Sequence, residues 1–124
     1  MNTPDNLFYT RNHEWVNINK GIATIGITDY AQSELGDIIF IEFPNISTKF
    51  NAGDTICIIE AVKTVADLYS PLGGRIIEIN NNLENEPESI NKDPYGSGWI
   101  VKLDLETEDL SSLLSASKYK ELMQ

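Results

Sequence analysis

Apolar and polar residues alternate in short bursts along this chain, and most bursts are of strand length. Residues 13–18 (HEWVNI) and 22–27 (IATIGI) are rich in β-branched and aromatic side chains, which suit a pleated, half-buried surface. Asn19, Lys20 and Gly21 join them, with Gly21 suited to a positive φ, so a first hairpin is predicted. Residues 28–36 read as a short helix. Thr28 or Asp29 can cap it, Asp29 and Gln32 have capping-box spacing, and Gly36 supplies a stop. Strand character resumes over 37–43 and ends at Pro44, and 45–51 reads as loop.

The second half repeats the theme. Ala52, Gly53 and Asp54 form a turn that launches a strand over 55–60, and strand character returns over 65–69 and 75–80. Residues 81–91 are polar, contain Pro87, and predict a loop or one or two helical turns. A last strand is expected over 99–103. Thr107 should then cap a helix with Leu110, Leu113 and Leu114 on one face, followed by a helical segment carrying Tyr119, Leu122 and Met123. A faint echo relates GDIIFIE (36–42) to GRIIEI (74–79), as two halves burying a core between two small sheets would require. The pattern predicts one mainly β domain over 1–124, a sandwich or flattened barrel with peripheral helices.

Between the runs 56–62 and 64–69 lies Lys63, with no Gly, Pro or charged patch to account for it. It is the only basic residue between Lys49 and Arg75, and Glu60 and Asp67 bracket it. A lysine between two β-type runs is predicted to sit at a hairpin tip, projecting into solvent where a modifying enzyme can reach it. Most lysines are merely solvated surface charges; the position of this one favours an attachment point.

Composition narrows the chemistry. With 41% apolar and 23% charged residues the chain is expected to fold, and a net charge of −10 argues against nucleic acid and anionic membranes as partners. The start of the chain resembles neither a signal nor a transit peptide, so a cytoplasmic protein of bacterial type is expected. One cysteine, Cys57, and one histidine, His13, leave too few soft ligands for an ordinary metal cluster. Cys57 sits among isoleucines and reads as a buried hydrophobe. Neither a phosphate loop nor a nucleophile elbow is present. No catalytic residue is assigned.

Glu60-Ala61-Val62-Lys63, followed by Asp67-Leu68-Tyr69-Ser70-Pro71 and Gly74, resembles the lipoyl-attachment motif of the glycine cleavage system H protein family. Tyr9-Thr10, His13 to Val16, Gly26 to Ala31, Leu35 to Asp37, Ala52 to Asp54, Pro94 to Gly96 and Gly98-Trp99 extend the likeness across about residues 7–123. The resemblance implies the lipoyl/biotinyl-type flattened barrel or sandwich of two small antiparallel sheets, with short peripheral helices and a C-terminal helix. It implies a monomeric, non-catalytic carrier with lipoate joined by an amide to Lys63. It further implies a shuttle of the aminomethyl group of glycine from the pyridoxal-phosphate decarboxylase (P protein) to the tetrahydrofolate-dependent aminomethyltransferase (T protein). Dihydrolipoamide dehydrogenase (L protein) would reoxidise the carrier, and a lipoate ligase or lipoyl/octanoyl transferase would load it. Glu14 and Asp67 are then candidates for lining a cleft in which the loaded arm rests, against the alternative that both are ordinary solvated carboxylates.

Ala61 departs from a serine frequent in that family, and Leu72-Gly73 from a small apolar residue followed by serine; neither touches the lysine. A biotin carrier would place methionines beside the lysine, where Val62 and Thr64 stand, and a 2-oxoacid dehydrogenase lipoyl domain would carry Asp-Lys-Ala at the tip. The same chain could also serve as a relay supplying lipoyl or octanoyl groups to other enzymes.

Overall fold

The computed structural model describes residues 2–124. The elements run β1 (Phe8–Tyr9), β2 (Glu14–Asn19), β3 (Ile22–Ile27), α1 (Asp29–Leu35), β4 (Ile38–Glu42), β5 (Lys49–Phe50), β6 (Thr55–Ala61), β7 (Val65–Tyr69) and β8 (Gly74–Ile79). A 3-10 turn (Asn81–Glu84), α2 (Ser89–Lys92), β9 (Val101–Leu105) and α3 (Ala116–Leu122) complete the chain. Two antiparallel sheets form: β1-β2-β3-β9-β8-β5 and β4-β6-β7. The echo strands part company here, with β4 in the small sheet and β8 in the large one, as the expected two-sheet arrangement requires.

The first hairpin turns through Lys20 (φ 52°) and Gly21 (φ 79°), a two-residue connection whose positive φ values match the twist of the flanking strands. Thr28 is the N-cap of α1, its hydroxyl accepting the amide of Ala31 at 3.2 Å. The expected pairing of Asp29 with Gln32 occurs between side chains, Gln32 Nε2 donating to Asp29 Oδ1 at 2.8 Å, so it is not a capping box. Gly36, at φ 76°, ends the helix and returns its amide to the Gln32 carbonyl.

Inward-facing residues of both sheets fill one core: Ile25, Ile41, Ile59, Leu68, Ile76, Val101 and Leu103 are among its members. Each aliphatic side chain so buried contributes about 1.5–3 kcal/mol of transfer free energy. Cys57 belongs to this core, and burial pushes its thiol up to about 12, so its structural role holds. A smaller cluster of Leu7, Tyr9, Trp15, Ala116 and Tyr119 fastens α3 onto the start of the chain. No helix is long and apolar enough to cross a membrane, among the described residues.

Three expectations are corrected. The loop over 45–51 contains β5, which pairs with β8 through Lys49 and Arg75. The last strand is displaced, running from Val101 to Leu105. Thr107 caps no helix. Its hydroxyl accepts the Asp109 amide at 3.0 Å and the Asp109 carboxylate accepts the Ser111 amide at 3.0 Å, local bonds that compete with helix formation. Leu114 meanwhile exchanges both backbone bonds with Tyr9, at 2.8 and 2.7 Å. Those backbone groups pair in a β-bridge instead of a helix. The terminal segment does form α3, capped by Ser115, with Tyr119 buried but Leu122 41% exposed.

Candidate functional site

Lys63 occupies the tip of the β6–β7 hairpin. The two strands run side by side from Thr55↔Tyr69 to Glu60↔Val65, and the Ala61 amide donates to the Thr64 carbonyl at 2.8 Å to close the turn. Val62, Lys63 and Thr64 are all exposed. Lys63 takes part in no ion pair among the described residues. β-branched residues on both strands make the support stiff, while the long side chain above it stays free to turn.

The tip is braced from one side. The Val62 amide donates to the Asp37 carbonyl at 3.0 Å, tying the turn to the segment between α1 and β4. Asn91, at the C-terminal end of α2, holds that segment: its amide nitrogen donates to the Gly36 carbonyl at 2.8 Å, and its Oδ1 accepts the Ile38 amide at 3.0 Å. An open hollow of about 630 Å³ lies here, lined by Glu34, Leu35, Asp37 and Lys63 among others. The sequence pattern assigned no role to Asp37 or Asn91. Asn91 lies 53 residues from Ile38, and local pattern carries no sign of such a contact.

Glu14 and Asp67 fare differently. Glu14, the first residue of β2, is 1% exposed. Its Oε1 accepts the Thr10 hydroxyl at 2.5 Å and its Oε2 accepts the Tyr69 amide at 3.4 Å. Burial pushes its carboxyl above the ordinary 4.5, and the bonds from Thr10 and Tyr69 pull in the opposite direction. The description of Glu14 as a solvated carboxylate is therefore overturned. Asp67 is exposed, opposite Ile58 on β7 and two residues before the amide that Glu14 engages. It follows Lys63 by four residues, at most about 13 Å of extended chain. The fold thus brings both carboxylates to one strand, one sealed and one open.

Beside them, His13 adopts φ 67° and its Nδ1 lies 2.7 Å from the Tyr119 hydroxyl, which also meets the Thr28 hydroxyl at 2.9 Å. Burial lowers the His13 pKa, opposed by the charge of Glu34. This chain of polar contacts joins α3 to the cap of α1, whose far end lines the hollow by Lys63.

Comparison with known proteins gives a consistent result. The family model described as "Glycine cleavage H-protein" matches residues 7–124. A glycine cleavage system H protein of Halothermothrix orenii is 44% identical over 125 residues, covering 100% of this chain and 98% of that one. One from Coxiella burnetii is 47% identical over 123 residues, covering 98% and 95%. The crystal structure of a glycine cleavage system H protein from Mycobacterium marinum superimposes with a TM-score of 0.88 at 35% identity, covering 95% of this chain and 96% of that one. With its two-sheet fold and its lysine-tipped hairpin, this chain belongs to the glycine cleavage H-protein family.

Proposed function

We propose that the protein is a non-catalytic carrier that holds a lipoyl group in amide linkage on Lys63. In this reading it passes the aminomethyl group of glycine from a pyridoxal-phosphate decarboxylase to a tetrahydrofolate-dependent aminomethyltransferase. Dihydrolipoamide dehydrogenase then returns it to the oxidised state. The observation that carries the reading is Lys63 itself, exposed at the tip of a stiff hairpin and free of ion pairs among the described residues. Such an amine fits a covalent acyl group, because acylation removes a charge that no neighbour depends on.

The attached group supplies a reducible disulfide at the end of a long flexible tether. The chain's own residues do the rest. The β6–β7 ladder and the Val62–Asp37 bond hold the attachment point away from the core. Tethering keeps the reactive end at high effective concentration around successive partners. Asp67, open on β7, offers a carboxylate to an ammonium brought back along the strand, and buried Glu14 lies beyond it.

Intact-mass analysis of protein from its native cell, with peptide mapping, tests the attachment. One lipoyl addition on Lys63, lost in Lys63→Arg with the fold unchanged, is the expected result. Addition of another group, or at another lysine, would overturn the reading. For the cleft, the loaded arm should hydrolyse sooner in Asp67→Asn combined with Glu14→Gln. An unchanged lifetime would remove both carboxylates from the site.

A further inference from the structure

Asn80 follows β8 at the N-cap position of the 3-10 turn, and its side chain is almost sealed, the residue being 4% exposed. Its amide nitrogen donates to the Ser97 carbonyl at 2.9 Å and to the Trp99 carbonyl at 2.7 Å. Carbonyl oxygens only accept, so both protons of Nδ2 are committed and the orientation of the amide is fixed. Oδ1 accepts no hydrogen bond among the described residues. No fully buried side-chain atom among them lacks a partner, so Oδ1 reaches the outside. Asn80 lines a hollow of about 400 Å³ together with Glu86, Ser89, Ser97 and Trp99 among others. A held acceptor in a nearly buried side chain is costly to leave unmade, and this one calls for a donor.

Charge narrows the donor. Glu84, Glu86 and Glu88 alternate along the segment beside Asn80, and all three are exposed. Among the described residues, no lysine or arginine lines the hollow. The nearby Lys102 lies 5.2 Å from the centre of the Trp99 ring, but it lines a different hollow and meets the Glu78 carboxylate at 3.7 Å. The local field therefore favours a cation. The described residues hold no cluster of three or more histidine, cysteine or acidic side chains fit for a metal ion, and the hollow is roomy for a bare one. An organic cation remains. A guanidinium suits the lining better than an ammonium. It is flat, carries donors only, spreads them as a fork between two acceptors and packs against an aromatic ring.

We propose that this hollow binds a guanidinium group on an alkyl stem. Asn80 Oδ1 and the Glu86 carboxylate accept its N–H groups, and Trp99 supplies the aromatic surface. Free arginine-like molecules and arginine side chains of proteins both carry that group, and the test has an arm for each. None of the lining residues lines the hollow at Lys63, so the inference stands apart from the lipoyl reading.

The full-length protein, labelled with nitrogen-15, is titrated with methylguanidinium chloride against sodium chloride of equal ionic strength. Proton–nitrogen spectra follow the Asn80 side-chain amide and the Trp99 indole N–H. Trp15 lines the hollow that Lys102 lines and not this one, so its indole N–H is the internal reference. Saturable shifts at Asn80 and Trp99, with Trp15 unmoved, are the expected result. Glu86→Gln should raise the dissociation constant about threefold or more. Glu108→Gln removes the same charge at an exposed position elsewhere and should leave the constant unchanged. Thermal melting confirms that both variants fold. Methylammonium should bind at least about threefold more weakly than methylguanidinium, because it lacks the planar fork. Free L-arginine and a peptide with blocked ends and one internal arginine then compete. Tighter binding of the peptide assigns the pocket to a protein partner, and tighter binding of arginine assigns it to a small molecule; either upholds the guanidinium pocket. No saturable shift, a Trp15 shift matching that of Trp99, equal responses in the two glutamine variants, or equal binding of methylammonium would each overturn it.

Discussion

The Glu14 carboxylate accepts the backbone amide of Tyr69 at 3.4 Å, so a buried acid on the large sheet contacts the strand that leads back from Lys63. Burial raises its pKa above the ordinary 4.5. In the folded protein the carboxyl therefore keeps its proton to higher pH than in the unfolded chain. The sign follows: stability attributable to this group is greatest below pH 4.5 and falls as pH rises through the raised value. Glu14→Gln should remove that fall, its amide oxygen accepting from Tyr69 while its nitrogen donates to the Thr10 hydroxyl. Urea unfolding at pH 4.5 and pH 7 measures it, with the parent losing more stability over the interval than the variant. Equal pH dependence would show that Glu14 does not carry the effect.

His13 should act in the acid direction. Its pKa is lowered by burial, with Glu34 opposing, so the folded state resists protonation and the unfolded state does not. Stability from this group is present above about pH 6.5 and declines as pH falls below it. Asn tolerates the positive φ of 67° at this position better than most residues do. His13→Asn is expected to flatten the stability profile between pH 7 and pH 5, measured by thermal melting. A decline as steep as the parent's would assign the loss to other groups.

Tyr119 stacks on Tyr9 at 4.7 Å between ring centroids and places its hydroxyl between His13 and Thr28. Tyr119→Phe keeps the stack and removes the hydroxyl, with an expected cost of about 1–2 kcal/mol. Tyr119→Ala also opens a cavity in the small cluster, and about 3–5 kcal/mol is expected. Chemical denaturation of the two variants separates hydroxyl from packing. Equal losses would mean that the polar chain contributes most of the stability here.

Gly26 has no room for a side chain. A Cβ placed there would fall 2.6 Å from Nε1 of Trp15, which is 2% exposed and donates to the Pro94 carbonyl at 2.9 Å. The indole cannot move without leaving that bond. Gly26→Ala is expected to cost about 1–3 kcal/mol, with a change in tryptophan fluorescence. A silent substitution would indicate that β3 can shift away from Trp15.

The strands, the β6–β7 hairpin and the exposed lysine were legible in the chain because their causes are local. Alternation with period two selects a strand face, glycine at Gly21 and Gly36 permits positive φ, and a charged residue between apolar runs is expelled to the tip. The family likeness then supplied a name for the group that Lys63 is proposed to carry, which no local pattern could do. Thr107 misled because its hydroxyl suits a turn as well as a cap, and the choice lay with Leu114 pairing to Tyr9 far away in sequence. The burial of Glu14 and the brace of Asp37 and Asn91 beside the tip were likewise decided only by tertiary structure. Each depends on which strands become neighbours and in what register, and register is set by the shared core, not by any one strand's own residues.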